Sequence, residues 1–453
     1  MRSDNTSLLL DLYELTMAAG YFERERNVRA VFDLFVRRLP KNRSFLIAAG
    51  LEEALKFLKD FSFGQEDIDF LKKKGIFKDS FLDYLKGLKF SGEVWAMPEG
   101  TVFFPGEPVL RVSAPILEAQ MVESALLNII NIASLISSKA ARVVLAAKGK
   151  GVYDFSLRRT QGMSAALAAA RSSYITGCLG TSNVLAGKLY GMPTAGTMAH
   201  SFVMSFHSEL ESFRAYTSLF PDNSILLVDT YDYRKGIENA ITAARGLEAK
   251  GHKLKGVRLD SGDLVRISRM ARRLLDKAGL SYVRVFASGN LDEFKIESLL
   301  KSGAKIDSFG VGTNMGTSCD APYLDVIYKL SRIDNSDGSI QPVMKLSQDK
   351  ITYPGKKQVF RIRAKDGLYL KDIIGLEGEK IKGEPLLEKV MENGKMTIPS
   401  PSLDTIRVLA KKNIRGLRPK YKKLKVQEIY PVSLSPGLRR MIEKLKKDIA
   451  LRN

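Results

Sequence analysis

The sequence predicts an α/β fold, with an irregular parallel (β/α) barrel of about seven strands, an N-terminal α+β cap/β-sandwich domain and a basic C-terminal extension. Two observations predict the barrel. Short apolar strands alternate with helical segments from Gly151 to Val311, and polar, glycine-rich clusters follow nearly every strand. A third observation, the length of 453 residues with 45% hydrophobic side chains, leaves ample chain for the flanking regions.

Three regions are expected in order along the chain. Residues 1–120 form the α+β cap and a β-rich module, because prolines and glycines punctuate the stretch 90–117. Residues 121–330 form the barrel and carry the active site. Residues 331–453 form the basic region. The elements expected in the flanking regions are a helix over 8–22, a strand over 30–36, strands over 340–346 and 358–363, and a basic helix over 431–453.

Seven strands are predicted in the barrel region. The clearest helix between them runs from Leu264 to Leu275, where Asp263 or Ser261 is placed to cap its start and Gly279 to end it. The predicted strands are Gly151–Phe155, Gly177–Gly180, Met192–Gly196, Ile225–Asp229, Gly256–Leu259, Val283–Ala287 and Ile306–Val311.

Reactive residues of a parallel barrel gather at the carboxyl ends of its strands, on one face. The sequence has six polar clusters at such positions, which indicates one shared site rather than six ordinary loops. The clusters are Ser156–Arg159, Thr197–Ser201, Thr230–Asp232, Asp260–Asp263, Ser288–Asn290 and Gly312–Asn314.

The formal net charge of +21 raises the question of a nucleic-acid partner. Lysines and arginines are concentrated after Val343, in runs such as Lys420–Lys425. Lysine-rich faces are more often simply solvated, and we favour that interpretation over nucleic-acid binding.

Cys178 and Cys319 are the only cysteines, so the sequence offers neither a disulfide framework nor a cysteine zinc site. We expect no export signal, because acidic residues interrupt the first apolar run. The most apolar long stretch, 122–147, contains Lys139 and Arg142, which argues against a membrane span. We therefore expect a cytoplasmic protein without membrane contacts.

Arg258 and Asp260 lie two residues apart, so they face the same side of one predicted strand. A guanidinium suits a carboxylate or phosphate, and a carboxylate suits a diol or a metal-bound water. The alternative is an internal ion pair that only stabilises the sheet. Ser261 and Gly262 follow, and the glycine indicates that backbone closely approaches another group there.

Glycines beside Thr313 indicate a phosphate pocket. Gly310 and Gly312 allow backbone N–H groups to turn toward an anion, and Thr313 adds a hydroxyl donor. Gly289, one strand earlier, supports this interpretation, although glycine is also the usual turn residue.

His200 stands just past a predicted strand, where imidazole suits a general acid/base or a nucleophile toward phosphorus; a packing histidine is the alternative. His207 shares a face with His200 if 200–220 is one helix, and His252 is expected in solvent. Of two adjacent arginines in an extended segment only one points into the site, and strand parity with Ser156 favours Arg158.

These motifs together resemble the nicotinate phosphoribosyltransferases, which are type II phosphoribosyltransferases. The matching stretches run in the family's order over most of the chain; nothing functional is matched beyond Ile373. They are Asp11–Met17, Glu99–Pro108, Phe155–Arg159, Gly196–Ser201, Arg258–Asp263, Ser288–Asn290, Gly310–Thr313 and, further on, Lys345–Arg361.

The resemblance implies transfer of the 5-phosphoribosyl group from phosphoribosyl pyrophosphate to the ring nitrogen of nicotinate, giving nicotinate mononucleotide and pyrophosphate for NAD biosynthesis. It implies Mg²⁺ as cofactor, and ATP as a co-substrate that transiently phosphorylates a histidine, at the position of His200. The partners are then small molecules, with a homodimer in which Tyr13 stacks on the pyridine ring across the subunit interface.

Further roles follow from the same resemblance. Thr197 and Arg258 contact nicotinate, and Thr313, with Gly310 and Gly312, holds the 5′-phosphate. Asp260 holds the ribose hydroxyls or acts on the magnesium through water, although no metal ligand is assigned outright. The catalytic residues are then His200, Arg258 and Asp260. The remaining candidates for substrate binding are Arg158, Ser261, Gly262 and Gly289.

Four alternatives stay open. A nicotinamide-using relative is the nearest, although the pattern from Thr197 to His200 looks like that of the acid-using enzymes and no acid there accepts from an amide. Quinolinate phosphoribosyltransferase shares the architecture but requires a site for a second carboxylate. An inactive small-molecule-binding relative is the third. A basic nucleic-acid-binding protein on a degenerate barrel leaves the strand-end clusters unexplained.

Overall fold

The computed structural model describes residues 6–24, 27–346, 352–426 and 428–452. Most of the matching stretch Lys345–Arg361 is therefore described, but its residues 347–351 lie outside the described part. The chain forms two compact units. Unit 1 comprises Met1–Leu135 and Tyr323–Asn453, and unit 2 comprises Ile136–Pro322.

The strands, in chain order, are β1 (Arg29–Val36), β2 (Leu46–Ile47), β3 (Glu93–Ala96), β4 (Val102–Phe103), β5 (Pro108–Pro115), β6 (Gly151–Asp154), β7 (Ile225–Leu227), β8 (Gly256–Leu259), β9 (Arg284–Ala287), β10 (Ser308–Val311), β11 (Val326–Asp334), β12 (Ile340–Pro342), β13 (Lys357–Arg363), β14 (Tyr369–Leu376), β15 (Glu384–Pro385), β16 (Glu388–Glu392), β17 (Lys395–Met396) and β18 (Val432–Leu434).

The helices are α1 (Leu12–Glu23), α2 (Leu51–Asp60), α3 (Gln65–Lys73), α4 (Asp79–Gly87), α5 (Ile116–Met121), α6 (Glu123–Ala146), α7 (Met163–Ile175), α8 (Val184–Tyr190), α9 (His200–Met204), α10 (Glu209–Leu219), α11 (Tyr233–Glu248), α12 (Leu264–Lys277), α13 (Glu293–Lys301), α14 (Thr313–Gly316), α15 (Leu403–Gly416) and α16 (Pro436–Arg452), with 3₁₀ turns at Leu157–Arg159 and Pro419–Lys422.

Unit 1 is built on a seven-stranded sheet with the order β12-β11-β1-β5-β3-β16-β17. Its central strand β1 is antiparallel to both β11 and β5. Apolar side chains of this sheet and of the helices α1 to α5 share one buried core, in which the rings of Phe32 and Tyr328 stack 4.7 Å apart. A four-stranded sheet, β15-β13-β14-β18, and the short pair β2-β4 complete the unit.

The division into two units differs from the predicted three regions 1–120, 121–330 and 331–453. β11 and β16 come from the C-terminal part of the chain, yet they pair with β1 and β3 of the N-terminal part. Residues 331–453 therefore help to complete unit 1 instead of forming a separate extension. Pairing between strands so distant in sequence leaves no local signal, so a pass along the chain does not reveal it.

Unit 2 is built on a five-stranded sheet with the order β6-β10-β9-β8-β7, in which every pairing is parallel. These are five of the seven predicted strands: β8 has the predicted bounds, and each of the other four is one or two residues shorter at one end. The last strand, β10, pairs with the first, β6. Helices between consecutive strands make the α/β alternation that the sequence predicts.

The predicted strands Gly177–Gly180 and Met192–Gly196 are wrong as regular strands. Single parallel bridges join Asp154 to Thr181 and Thr181 to Thr194 instead. Pro193 has no N–H to donate to a ladder, which limits pairing to isolated bridges. Throughout unit 2 as described, no pairing joins Thr194 to β7, so the closed barrel remains a prediction.

Helix α12 has the start and end that the sequence predicts. The Asp263 carboxylate accepts hydrogen bonds from the backbone N–H groups of Val265 and Arg266, at 3.1 Å each. Gly279 follows the helix with a φ of +78°, a conformation that favours glycine. Ser261, the other candidate cap, instead donates to Asp229.

Helix α6 is long and apolar enough to cross a membrane by length and composition, but 72% of its most apolar window is buried within the protein. In unit 2 its Lys139 Nζ lies 2.5 Å from Glu293 Oε2, and its Arg142 Nε donates to Glu293 Oε1 at 3.0 Å. The charged residues that argue against a span are thus paired inside the fold, as in a core helix.

Candidate active site

The carboxyl ends of neighbouring strands bring six polar residues of unit 2 together. The sheet order β9-β8-β7 puts the residues after these strands at one edge, and the segment after Thr194 supplies two more. Each member forms a hydrogen bond with another member, except His200, whose Nε2 lies 3.9 Å from Asp260 Oδ2. We name this group the strand-end cluster; its members are Thr197, His200, Asp229, Arg258, Asp260 and Ser288.

Arg258 is the centre of the strand-end cluster. Its Nε donates to Ser288 Oγ at 2.7 Å, its Nη1 to Thr197 Oγ1 at 2.8 Å and its Nη2 to Asp260 Oδ1 at 2.7 Å. Its guanidinium also lies 5.7 Å from the centre of the Phe155 ring. The internal Arg–Asp pair of the alternative interpretation is therefore present, and it holds the guanidinium in one plane at the strand ends.

The Asp260 carboxylate is held in its charged form. Burial works to raise the pKa of Asp260, but hydrogen bonds from Ser288 and the charge of Arg258 outweigh it and keep the pKa below its usual range. The backbone N–H of Asp260 also donates to Asp229 Oδ2 at 2.9 Å. An anionic carboxylate at this edge suits hydroxyl groups or a hydrated cation.

His200 begins helix α9 and is partly exposed. Its Nδ1 lies 3.1 Å from Thr230 Oγ1, and its Nε2 lies 3.9 Å from Asp260 Oδ2. In the tautomer with its proton on Nδ1, the imidazole donates to Thr230 and the lone pair of Nε2 is available toward the cluster. This arrangement is the one that a nucleophilic imidazole requires.

His207 does not share a helical face with His200, because α9 ends at Met204 and α10 begins at Glu209. The two histidines therefore do not lie on one helix, which sharing a helical face would require. His252 lies at the surface, as expected, with its Nδ1 2.9 Å from Asp222 Oδ1, within hydrogen-bond distance.

Three residues with structural roles in the strand-end region had no individual role in the sequence prediction, although Thr230 and Ser288 lie in the predicted polar clusters. Asp229 binds the Asp260 backbone and the Ser261 hydroxyl, Thr230 contacts His200, and Ser288 bridges Arg258 and Asp260. All three follow or end a predicted strand, so the strand-end rule contains the signal. What the sequence lacks is any indication of which hydroxyl or carboxylate meets which partner.

Two predicted glycines allow loops to pack tightly. A Cβ on Gly289, whose φ is +94°, would lie 1.8 Å from the carbonyl oxygen of Asp260. A Cβ on Gly262, with a φ of +78°, would lie 2.4 Å from the Tyr233 hydroxyl. The close approach expected at Gly262 is thus to the protein itself, and a ligand contact there stays a prediction.

The predicted phosphate segment lies between β10 and the start of α14. Gly310 packs against the rings of Phe155 and Phe286, where a Cβ would come within 2.7 Å of the first. Gly312 lies close to the Phe155 carbonyl, and Thr313 is exposed at the first turn of α14. Gly310 therefore has a packing reason, while Gly312 and Thr313 lie at the strand end as predicted.

The extended geometry assumed for the two arginines after β6 is wrong. The Asp154 carboxylate, which is buried, accepts from Ser156 N at 3.0 Å and from Ser156 Oγ at 2.6 Å. This turn starts the 3₁₀ segment Leu157–Arg159, so parity does not distinguish the arginines and both are exposed. A role for Arg158 in substrate binding remains a prediction.

Tyr13 belongs to unit 1, whereas the other predicted site residues belong to unit 2. It lies on α1 with 46% of its surface exposed, and partial burial followed by the charge of Glu123 raises the pKa of its hydroxyl. Beside it, burial raises the pKa of Glu14 to about 7, although Ser124 donates to that carboxylate. Tyr13 thus presents an exposed ring from an acidic, buried support.

The donors of the strand-end cluster suit Mg²⁺ that arrives with a phosphorylated ligand. Magnesium usually binds one or two carboxylates together with phosphate oxygens and water. Asp229 and Asp260 supply two carboxylates, and Asp229 Oδ1 is buried without a hydrogen-bond partner in the described part of the chain. Across those residues, no group of three or more His, Cys, Asp or Glu side chains is arranged for a metal ion.

Models of known families match three parts of the chain. The model described as the nicotinate phosphoribosyltransferase (NAPRTase) family matches residues 151–366. The NAPRTase N-terminal domain model matches residues 8–131, and the C-terminal domain model matches residues 380–442.

Individual relatives match over nearly the whole length. Nicotinate phosphoribosyltransferase pncB2 of Mycobacterium tuberculosis is 46% identical over 431 residues, which cover 95% of this chain and 91% of that protein. The nicotinate phosphoribosyltransferase of Bacillus subtilis is 37% identical, with 96% and 94% covered. The crystal structure of human nicotinic acid phosphoribosyltransferase matches with a TM-score of 0.86 at 32% identity, covering 96% of this chain and 99% of that one.

Proposed function

The chain belongs to the nicotinate phosphoribosyltransferase family, and we propose from that premise that the strand-end cluster is its active site. The enzyme transfers the 5-phosphoribosyl group from phosphoribosyl pyrophosphate to nicotinate, giving nicotinate mononucleotide and pyrophosphate in NAD biosynthesis. The assignments of individual residues below are proposals.

The observation that carries the proposal is the guanidinium of Arg258, held at the strand ends by three hydrogen bonds. Nicotinate differs from its amide in one respect, a carboxylate, which a fixed guanidinium binds through charge-assisted hydrogen bonds. In the proposal the carboxylate takes Nη1 of Arg258 together with the Thr197 hydroxyl, and the pyridine ring lies near Phe155 and the partner subunit's copy of Tyr13.

His200 is the proposed acceptor of a phosphoryl group from ATP. Its Nε2 attacks the γ-phosphorus, an N–P bond forms, the bond to the bridging oxygen breaks, and ADP leaves. In this proposal Thr230 Oγ1 accepts a hydrogen bond from Nδ1–H, which keeps the lone pair on Nε2. A phosphohistidine beside Asp260 would add negative charge to the cluster, which Arg258 is close enough to offset.

Ribosyl transfer passes through an oxocarbenium-like transition state, so positioning and charge provide most of the catalysis. Asp260, anionic because of Arg258 and Ser288, holds the ribose hydroxyls or a magnesium-bound water. Mg²⁺, when bound with the pyrophosphate, neutralises the departing charge. Asp229 accepts from the backbone N–H of Asp260 and so positions that residue, and its carboxylate would be a second one available to hold Mg²⁺.

The phosphate groups are proposed to bind at the neighbouring strand ends. Thr313, with Gly312 and Gly310, receives the 5′-phosphate at the start of α14, and Gly289 and Asn290 form the adjacent loop. We assign Arg158, which is exposed, to the pyrophosphate. Ser261 and Gly262 line the same edge.

Three further statements belong to the proposal. Unit 2 is an irregular (β/α) barrel that the pairing of β10 with β6 partly closes. The active protein is a homodimer, because Tyr13 must reach a site in the partner. The enzyme acts in the cytoplasm, on small molecules, without a membrane or nucleic-acid partner.

The test is a comparison of base substrates with the purified full chain, Mg²⁺ and phosphoribosyl pyrophosphate. We expect conversion of nicotinate and little conversion of nicotinamide or quinolinate. Arg258→Lys keeps the positive charge but loses the fixed set of guanidinium N–H donors, so the KM for nicotinate should rise by roughly 10-fold or more. Arg273→Lys, an exposed arginine on α12, is the matched control and should leave KM unchanged. Preference for nicotinamide, or an unchanged KM in Arg258→Lys, would contradict the assignment.

A further inference from the structure

Unit 2 contains a cavity of about 990 Å³ along the inner face of its parallel sheet, and Thr197 is its only lining residue from the strand-end cluster. Phe155 and Thr197 line the end near the carboxyl termini of the strands. Lys253, Lys255 and Arg284 line the other end, at the amino termini of β8 and β9. The cavity therefore extends from the proposed active site to the opposite end of the sheet.

The sequence explains why this interior is not filled. Parallel barrels usually pack branched aliphatic side chains inside. Here the face of β9 that lines the cavity has Arg284 and Phe286, which are two residues apart. In β8 the residues opposite these two are Gly256 and Arg258. Gly256 adds no side chain beside Arg284, so the amino-terminal end stays open.

Positive charge predominates at that end. Among the residues that the structure describes, none forms a hydrogen bond or ion pair with the Arg284 guanidinium. Lys255 Nζ donates to a neutral partner, Asn223 Oδ1, at 2.5 Å. The acidic residue that lines this end, Asp222, lies within hydrogen-bond distance of His252. Arg284 and Lys255 thus present two cationic groups with no anion of the protein bound to them.

Aromatic rings line the same end of the cavity. Tyr216 and Phe220 lie with ring centres 5.0 Å apart, and Lys253 Nζ lies 5.2 Å from the centre of the Tyr282 ring. Flat apolar surfaces next to cations bind a flat apolar ring that carries a negative charge. A phosphate ion would use the cations but has no apolar surface to place against these rings.

We propose that the amino-terminal end of this cavity is a second ligand site, which binds a small planar aromatic carboxylate. The carboxylate lies between Arg284 and Lys255, and the ring lies against Tyr282 and Phe220. The proposal goes beyond the proposed function, because the ligand is bound at the opposite end of the sheet from the reacting groups and is not transformed there.

The test is calorimetric titration of the full chain with benzoate, without phosphoribosyl pyrophosphate. We expect two sites per chain, one at each end of the cavity. Arg284→Ala should remove the second site or weaken it by about 10-fold or more, as expected for loss of a charged hydrogen bond. Arg258→Ala should remove the other site, and the control Arg273→Ala should keep both within twofold.

A second variant and a second ligand test which groups bind the carboxylate and whether its charge is required. Lys255→Ala should also weaken the second site, which keeps the test valid if Arg284→Ala fails to fold by circular dichroism. Nicotinamide, which has a ring but no charge, should bind there at least about 10-fold more weakly than benzoate.

Retention of both benzoate sites with unchanged affinity in Arg284→Ala and Lys255→Ala would overturn the proposal. Displacement of benzoate from the second site by millimolar inorganic phosphate would reassign it to a phosphate ion. Formation of nicotinate mononucleotide by the wild-type protein is measured separately, so failure of the catalytic assignment does not resemble failure of the second site.

Discussion

Replacing Glu293 with glutamine tests whether a buried charge cluster supports unit 2. The Glu293 side chain is fully buried, and it accepts from Lys139 at 2.5 Å and from Arg142 at 3.0 Å. Burial works to raise the pKa of Glu293, but Lys139 and Arg142 outweigh it and hold the pKa below its usual range. Glu293 begins α13, directly after the loop that contains Gly289, so the same cluster anchors the proposed phosphate loop to α6.

The structure sets the magnitude of the effect. Removing one partner of a buried ion pair typically costs about 3–5 kcal/mol, because a charge remains buried without compensation. Lys139 keeps Asp320 at 2.8 Å, and Arg142 keeps the Phe294 ring at 5.7 Å, so we expect the lower end, about 3 kcal/mol. For a unit of this size, that corresponds to a melting temperature lower by about 6–12 °C.

The assay is thermal and urea unfolding of wild type and Glu293→Gln at pH 7. Glu297→Gln is the matched control on the same helix, since the Glu297–Lys301 pair is exposed and should contribute less than about 1 kcal/mol. Because the folded-state pKa of Glu293 is depressed, its contribution is present above about pH 4.3 and is lost as the pH falls through the folded-state pKa. Equal stability of the two variants would refute the reasoning.

Three other predictions follow from single contacts. Gly289→Ala should destabilise unit 2 by more than Gly279→Ala, because a Cβ on Gly289 would clash with the Asp260 carbonyl whereas a Cβ on Gly279 has open space. Denaturant midpoints measure both losses of stability, and losses of similar size would contradict this contact. Ser288→Ala removes a hydrogen bond that lowers the pKa of Asp260, so the acidic limb of the pH profile of kcat/KM should move to higher pH. An unmoved limb would contradict a catalytic role for the Asp260 carboxylate. Since burial raises the folded-state pKa of Glu14 to about 7, the stability of the protein should fall as the pH rises from about 4.5 to 7. Glu14→Gln should reduce that fall in unfolding experiments. Parallel curves of stability against pH for wild type and Glu14→Gln would contradict the raised pKa.

Much of unit 2 can be predicted from the sequence because its signals are local. The strands β8 and β9 are short apolar runs with polar residues directly after them, and the cap of α12 lies in the residue before it. Arg258 and Asp260 are predicted to share a face because a strand alternates, and the ion pair between them is present. These inferences require only neighbours in sequence.

The features that could not be predicted depend on residues far apart in the chain. The pairing of β1 with β11 and of β3 with β16, which joins the two ends of the chain in unit 1, has no local signature. Thr197 and Ser288 meet at one guanidinium although 91 positions separate them in the printed sequence. Pro193 limits a predicted strand to a bridge, and the Asp154–Ser156 turn ends the extended geometry assumed for Arg158.

The central claim, that His200 is phosphorylated at the site of ribosyl transfer, has one direct measurement. Nicotinate mononucleotide formation is followed with Mg²⁺ and phosphoribosyl pyrophosphate, with and without ATP, in wild type, His200→Ala and the control His207→Ala. We predict that ATP raises the yield in wild type and in His207→Ala, and that His200→Ala loses this rise. An ATP-dependent rise that persists in His200→Ala would contradict the claim.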